Sequence, residues 1–346
     1  MPGITIIGSG RHLPGRAFTN HDLARVMDTS HEWIKPRSGI DERHFAADGE
    51  GVSDLALPAS RRALEMAGLT PEDIDYIVFG TMTPEYVFPG SGGLLGEKLG
   101  IAGVPALDIR QQCAFFPFAL QVSDALIAAD VAKTILVVGA DAHAGFMPWD
   151  WKALEEGTPS DPEAFAFATE HRQTAVLFGD GAGAVVVRKH PTPGHGLLGT
   201  VTHTDGRRSD HIFIPAGGFT RRRYWEAPAE SQIPAMRGQE LFRVAIQRLP
   251  QVVIEVCKKV GVTLDQVDWF LAHQANDRIN NAVVDALKVP RAKAPSNIAR
   301  YGNTSDATLP ILVDELMREG KLEPGQLICF LALGAGLNWG AALMRL

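Results

Sequence analysis

Cysteine is scarce in this chain of 346 residues: there are three, Cys113, Cys257 and Cys329, an odd number set far apart. Such spacing excludes a disulfide framework and the paired knuckles of a structural metal site. Basic charge is not in excess, with 33 Lys and Arg against 40 Asp and Glu and a formal net charge of −7. That balance gives no general polyanion-binding surface, so nucleic acid is not expected as a partner, although a local basic patch could serve a small phosphorylated ligand. No window reaches the roughly 18–20 uninterrupted apolar residues that a bilayer-crossing helix needs. The opening MPGITIIGSGRHLPG has no basic start before an apolar stretch and predicts no secretory leader. The simplest expectation is a soluble, reduced, cytoplasmic protein.

What is present is an ordinary globular composition, 45% hydrophobic and 21% charged, in a length that fits two domains or one large α/β unit. The 35 glycines and 22 prolines are spread through the chain, as many short turns require. Short apolar runs at residues 4–7, 74–80, 106–108, 134–139, 183–188, 269–272 and 327–333 predict strands. Between them, helical periodicity covers residues 53–67, 119–131, 239–260, 278–287 and 309–319. The strands are apolar throughout, which predicts buried parallel strands covered on both faces in a layered α/β protein.

One stretch echoes another. Residues 68–80 read GLTPEDIDYIVFG and residues 261–273 read GVTLDQVDWFLAH, each after a helix that ends at a glycine. Cys113 follows Gly68 by 45 residues and Asn303 follows Gly261 by 42, each in a polar turn leading into a helix. Two similar βα halves are expected, meeting near HPTPGHG at 190–196. Residues 142–173 interrupt this rhythm with Trp149, Trp151, Phe165 and Phe167 among Pro, Gly and acidic residues, which reads as a packed lid or interface, or as an insertion covering its own apolar surface.

Three positions could carry chemistry. Cys113 stands between a short strand and an apolar helix, where unpaired backbone N–H groups favour a thiolate; a small core residue is the alternative. Pro117 is compatible with a first helical turn. His273 terminates a buried strand, the place where sites collect in α/β folds, although a lone histidine also serves as a structural hydrogen bonder. Asn303 lies in GNTSDATLP, where turn and cap roles compete with a functional one. Cys257, in a helical run, and Cys329, in a strand, read as core. The glycine-rich strings at 178–187 and 331–340 match neither a dinucleotide fingerprint nor a P-loop, and fit close backbone approach instead.

Taken together, the strand-end Cys113, HQAN at 273–276, GNTS at 302–305 and the terminal GAGLNWGAALMRL resemble the thiolase-fold condensing enzymes. More narrowly they resemble the β-ketoacyl-acyl-carrier-protein synthase III family, nearly end to end. DTSHEWIKPRSGIDERH at 28–44, FGDGAGA at 178–184 and MRGQELFRVA at 236–245 have the same look. The resemblance implies duplicated thiolase-like βα halves in a layered α-β-α-β-α sandwich. The halves would be residues 1–192, with Cys113 and an insertion at about 142–173, and residues 193–346, with His273 and Asn303. It implies a decarboxylating Claisen condensation between an acyl group from acyl-CoA, held on Cys113, and a malonyl thioester on acyl carrier protein or CoA, in fatty-acid or related polyketide-type biosynthesis. His273 and Asn303 would hold the enolate, and the backbone N–H groups of Cys113 and Ala335 the acyl oxyanion. No metal or other cofactor is implied. By the same resemblance Trp33, Arg37 and Arg172 would bind coenzyme A, Arg278 and Arg243 would dock the carrier, and Phe88 would reach across a homodimer to the partner's acyl pocket.

Departures from the family pattern are specific. Phe115 stands where glycine is usual two residues after the nucleophile, and with Phe116 is expected to narrow the acyl pocket. Asp285 and Ala286 occupy a place where a lysine pair is common, which weakens the expectation of the usual carrier. An acyltransferase or thioester hydrolase using Cys113 and His273 without a carbanion is the main alternative, and a non-catalytic subunit a lesser one. A biosynthetic thiolase is excluded, because residues 331–340 lack the second cysteine of that chemistry.

Overall fold

The computed structural model describes residues 3–216, 218–219 and 223–346, without the side chain of Tyr224. Helix and sheet alternate in five layers. The first sheet has the strand order Ile4–His12, Gly181–Lys189, Thr134–Asp141, Tyr76–Gly80, Ala106–Ile109. The second runs Trp269–Ala272, Leu327–Gly334, Asn338–Arg345, Gly196–Thr204. Helices Val52–Ala67 and Ser91–Leu99 cover the outer face of the first sheet, and Gly238–Val260 and Asp277–Leu287 that of the second. Between the sheets lie Phe115–Ala128 and Thr308–Arg318, whose Phe115, Phe116, Leu120, Leu309 and Leu312 build the central core with Val78, Val137, Val185 and Phe330.

The predicted strands and helices are present, but the sheets are mixed rather than parallel. Tyr76–Gly80 pairs in parallel with Thr134–Asp141 and Ala106–Ile109, and Trp269–Ala272 with Leu327–Gly334. Ile4–His12 and Thr134–Asp141 both run antiparallel to Gly181–Lys189, and Asn338–Arg345 runs antiparallel to both its neighbours. Helices cover both faces in either sense, so the apolar runs look the same and hydropathy cannot tell them apart. Gly196–Thr204 and Asn338–Arg345 were not among the expected strands.

The sequence echo has a physical counterpart. Val52–Ala67 ends at Gly68 with φ 66° and Gly238–Val260 at Gly261 with φ 82°, both in the left-handed region that glycine enters freely. Thr70 and Thr263 then open capping boxes closed by Asp73 and Gln266, and a strand follows each. The segment from 142 to 175 forms short helices, Trp151–Glu156, Pro162–Glu170 and Arg172–Ala175. Its Met147, Trp149, Leu154 and Ala168 pack with Phe18, Leu23, Ile34 and Phe45 in a separate cluster. It therefore shares a core with the N-terminal segment that carries Trp33.

Candidate active site

Ala106–Ile109 leads through a 3-10 turn, Gln112–Ala114, into the helix Phe115–Ala128. Gln112 takes a left-handed φ of 52°, a sparsely populated conformation for a residue with a side chain. Cys113, next in line, is half-buried, and its Sγ lies 3.3 Å from Ser305 Oγ. The expected thiolate is not its resting form. Burial pushes the thiol up to about 12, helped by the nearby Asp306 carboxyl, and the Ser305 hydrogen bond offsets only part of this. The desolvation cost outweighs the helix N-terminus, so Cys113 rests as a thiol.

His273 extends the strand Trp269–Ala272 by donating its backbone N–H to Leu331 O at 2.9 Å. Its ring is 5% exposed, with Nδ1 2.6 Å from Thr308 Oγ1 and Nε2 without a partner among the described residues. Burial lowers its pKa to about 3, so the imidazole is neutral at physiological pH. Asn303 is pinned by its backbone, which donates to Leu177 O at 2.9 Å and accepts from Gly179 N at 3.1 Å. Its Oδ1 accepts the Ser305 N–H at 2.9 Å, which identifies the amide's oxygen and leaves Nδ2 to donate into the cleft that Asn303 lines.

Ala335 lies in the turn between Leu327–Gly334 and Asn338–Arg345. Its carbonyl accepts from Asn338 Nδ2 at 2.6 Å, and Asn338 Oδ1 accepts from Thr204 Oγ1 at 2.7 Å. Leu337 and Asp205 exchange backbone hydrogen bonds of 3.1 and 2.8 Å beneath it. Gly334 touches the backbone of Cys113: a Cβ there would stand 2.8 Å from Cys113 N and 2.7 Å from Ala114 N. The glycine-rich string is thus a site of close approach.

One cleft of about 730 Å³ brings together Cys113, His273, Asn303 and Ala335 with Trp33, Arg37, Arg243 and Arg278. The Arg37 and Arg172 guanidinium groups both pack on the Trp33 indole, at 4.8 and 5.0 Å from its ring centre, and Arg172 is also held by Asp28 at 2.9 Å. Arg243 and Arg278 are exposed, and Asp285 is tied to Arg291 at 3.0 Å on the surface. Phe88 does not line the cleft of its own chain; it is 80% exposed. Phe115 and Phe116, expected to narrow the acyl pocket, do not line the cleft either. Both are fully buried between the sheets, Phe116 edge-on to Phe330 at 5.1 Å, because the dry interlayer accepts two aromatic rings from the helix start.

Sequence reasoning missed Ser305, Thr308 and Asp306, which it took only as candidate helix caps or passed over. Asp306 is 2% exposed, and neither carboxyl oxygen has a partner among the described residues. Burial, then the neighbouring Asp141, raises its pKa well above the usual carboxylate range. Among the described residues, no group of three or more His, Cys, Asp or Glu is placed to hold a metal ion. No helix of the described residues is long and apolar enough to cross a membrane.

A thiol at a helix N-terminus, facing an imidazole and an amide across the seam of two stacked sheets, is the arrangement of a thiolase-fold condensing enzyme. Family models for 3-oxoacyl-[acyl-carrier-protein] synthase III and for its C-terminal part match residues 107–206 and 257–346. The chain is 38% identical over 345 residues to β-ketoacyl-[acyl-carrier-protein] synthase III of Rhizorhabdus wittichii, covering 100% of each. It is 39% identical over 342 residues to that of Erythrobacter litoralis, covering 98% of each. The crystal structure of 3-oxoacyl-[acyl-carrier-protein] synthase III from Aquifex aeolicus superimposes with a TM-score of 0.86 at 38% identity, covering 99% of this chain and 100% of that one. This chain belongs to the β-ketoacyl-acyl-carrier-protein synthase III family, enzymes that perform the decarboxylating condensation of an acyl group with a malonyl thioester in fatty-acid biosynthesis.

Proposed function

We propose that Cys113 takes an acyl group from acyl-CoA and that the enzyme condenses it with a malonyl thioester on acyl carrier protein or CoA. The observation that carries this reading is the single cleft lined by a thiol, a neutral imidazole and an amide whose oxygen is already engaged. Sγ attacks the thioester carbonyl, the CoA thiol leaves with the cysteine's proton, and the N–H groups of Cys113 and Ala335 hold the intermediate oxyanion. Malonyl thioester then breaks its C–CO₂ bond, and the electron pair forms an enolate whose oxygen is held by His273 and Asn303. The enolate carbon attacks the acyl-cysteine, the C–S bond breaks, carbon dioxide and the β-ketoacyl thioester leave, and the released Cys113 thiolate takes a proton from solvent. No step calls on a metal or a resident cofactor.

Trp33, Arg37 and Arg172 are the proposed coenzyme A contacts. Both guanidinium groups rest on the indole, so an adenine stacking there replaces one of them and frees Arg172 from Asp28. Arg243 and Arg278 at the cleft mouth are the proposed carrier contacts. A homodimer, acting in the cytoplasm, is supported by the exposed Tyr86, Val87 and Phe88, and by the edge strand Ala106–Ile109 with its exposed Leu107. Phe88 would enter the partner's acyl pocket.

Intact-protein mass spectrometry across a panel of acyl-CoA chain lengths, followed by a malonyl-CoA or malonyl-carrier chase, tests the reading. Cys113→Ala forms no adduct. Asn303→Ala is acylated but makes no β-keto product, whereas simple acyl transfer or thioester hydrolysis needs no enolate clamp. The same adduct on Cys113→Ala, or normal β-keto output from Asn303→Ala, overturns it.

A further inference from the structure

The condensation needs the His273 proton on Nε2, because a bare Nε2 can only accept and would repel an enolate oxygen. Desolvation keeps the ring neutral, so it carries one proton, and its other nitrogen's partner decides where that proton sits. That partner is the Thr308 hydroxyl, which has one hydrogen and two acceptors within reach: His273 Nδ1 at 2.6 Å and Ser305 O at 3.0 Å. If the hydrogen points to Ser305 O, Nδ1 must donate to Oγ1 and Nε2 is left bare. If it points to Nδ1, Nε2 carries the proton into the cleft.

Two observations choose between these states. The Ser305 carbonyl already accepts the backbone N–H of Thr308 itself, so it does not depend on the hydroxyl. Of the hydroxyl's two acceptors, Nδ1 at 2.6 Å is the nearer and Ser305 O at 3.0 Å the more distant. We infer that Thr308 is a positioning residue for the condensation step: its hydroxyl donates to Nδ1 and fixes His273 as the Nε2–H tautomer.

The arrangement makes the imidazole the counterpart of Asn303. Ser305 N–H occupies Asn303 Oδ1 and so turns Nδ2 outward; Thr308 O–H occupies His273 Nδ1 and so turns an N–H outward. Ser305 and Thr308 sit at either end of one helical turn at the start of Thr308–Arg318, and both are buried. A single turn of chain thereby sets the polarity of both donors. Neither residue lines the cleft, and Thr308 acts through His273.

This inference rests on the condensing reading, and its test separates the two. Wild-type protein labelled with ¹⁵N-histidine is examined by NMR between pH 6 and 8, the His273 signals being assigned by their loss in His273→Ala. A proton on Nε2 is expected throughout, and a proton on Nδ1 overturns the inference without any variant having to fold. Thr308→Val, which keeps the volume and removes the hydroxyl, is expected to lower kcat for malonyl-CoA decarboxylation about 10–100-fold, with KM little changed. Thr308→Ser is expected to restore most of it, and stoichiometric acylation of Cys113 reports that each variant is folded. Undiminished kcat in acylated Thr308→Val also overturns the inference. Failure of the wild-type enzyme to decarboxylate both malonyl-CoA and malonyl-carrier protein sinks the functional reading instead, while the imidazole spectrum still reports the proton's place.

Discussion

Gly334→Ala is the sharpest test of the proposed oxyanion geometry, because the glycine lies against the backbone of Cys113. The added Cβ would stand 2.7 Å from Ala114 N, 2.8 Å from Cys113 N and 2.9 Å from Gln111 O, where ordinary contacts begin near 3.4 Å. None of these atoms is the free end of a side chain, so turn and nucleophile must part by about half an ångström, judged against that contact distance. One of the two N–H groups proposed to hold the oxyanion is then out of place. Losing one such donor costs about 10²–10³ in rate, and small displacements of reacting groups cost comparable factors. Acylation of Cys113 is therefore expected to slow about 100-fold, a barrier increase of roughly 2.7 kcal/mol. Overpacking adds a stability loss of about 1–3 kcal/mol. Quenched-flow mass spectrometry of the acyl adduct reads the rate, and Ala335→Gly, which keeps every backbone N–H, serves as the near-silent control. Wild-type acylation by a folded Gly334→Ala protein would refute the assignment of this turn to the oxyanion.

Buried neutral His273 makes stability pH-dependent. Below about pH 6.5 the unfolded chain binds a proton on this imidazole, while the folded ring does not until about pH 3, so stability is full above pH 6.5 and falls as pH drops. Between pH 6.5 and 5 the wild type is expected to lose roughly 2 kcal/mol more than His273→Asn in urea titrations, and equal losses would count against the buried neutral ring. Cys113, with its pKa near 12, should react with iodoacetamide about tenfold faster per pH unit from pH 8.5 to 10, and a plateau below pH 8 would show a thiolate instead. Asp306 has a raised folded pKa, so its contribution is favourable in acid and is lost as pH rises. Asp306→Ala is expected to raise the unfolding free energy by roughly 1–3 kcal/mol at pH 8 and much less at pH 4 in urea titrations, whereas a lower stability at pH 8 would indicate a missing partner for that carboxyl.

Residue patterns made the layers legible because burial on both faces leaves strong apolar runs: Trp269–Ala272 has the bounds read from its sequence, and the central helices differ by a few residues. Strand direction was not legible. The two strands Gly196–Thr204 and Asn338–Arg345 were also missed, since their glycines and small residues dilute the signal. In the site, Cys113, His273 and Asn303 were found at strand ends and turns, and the cleft gathers them. That Phe115 and Phe116 lie buried between the sheets rather than along the cleft was not legible, because consecutive helical residues point about 100° apart and a sequence does not say which side is dry. Thr308 and Ser305 could not be recognised, as a buried hydroxyl and a surface cap are spelled alike. Protonation was the least legible property: helix position suggested a thiolate, whereas desolvation, visible only once the layers are stacked, decides for the thiol.

The seam that seats the chemistry also exposes it to mechanical failure. Cys113 hangs from the first sheet, His273 and Ala335 from the second, and Asn303 is clipped to the chain between Leu177 and Gly179. A small slide of one layer over the other misaligns all four together, while each sheet keeps its own ladder of hydrogen bonds. Turnover is thus expected to gauge interlayer registry: in a urea titration catalysis should fade before circular dichroism reports loss of the sheets, and coincident transitions would count against it.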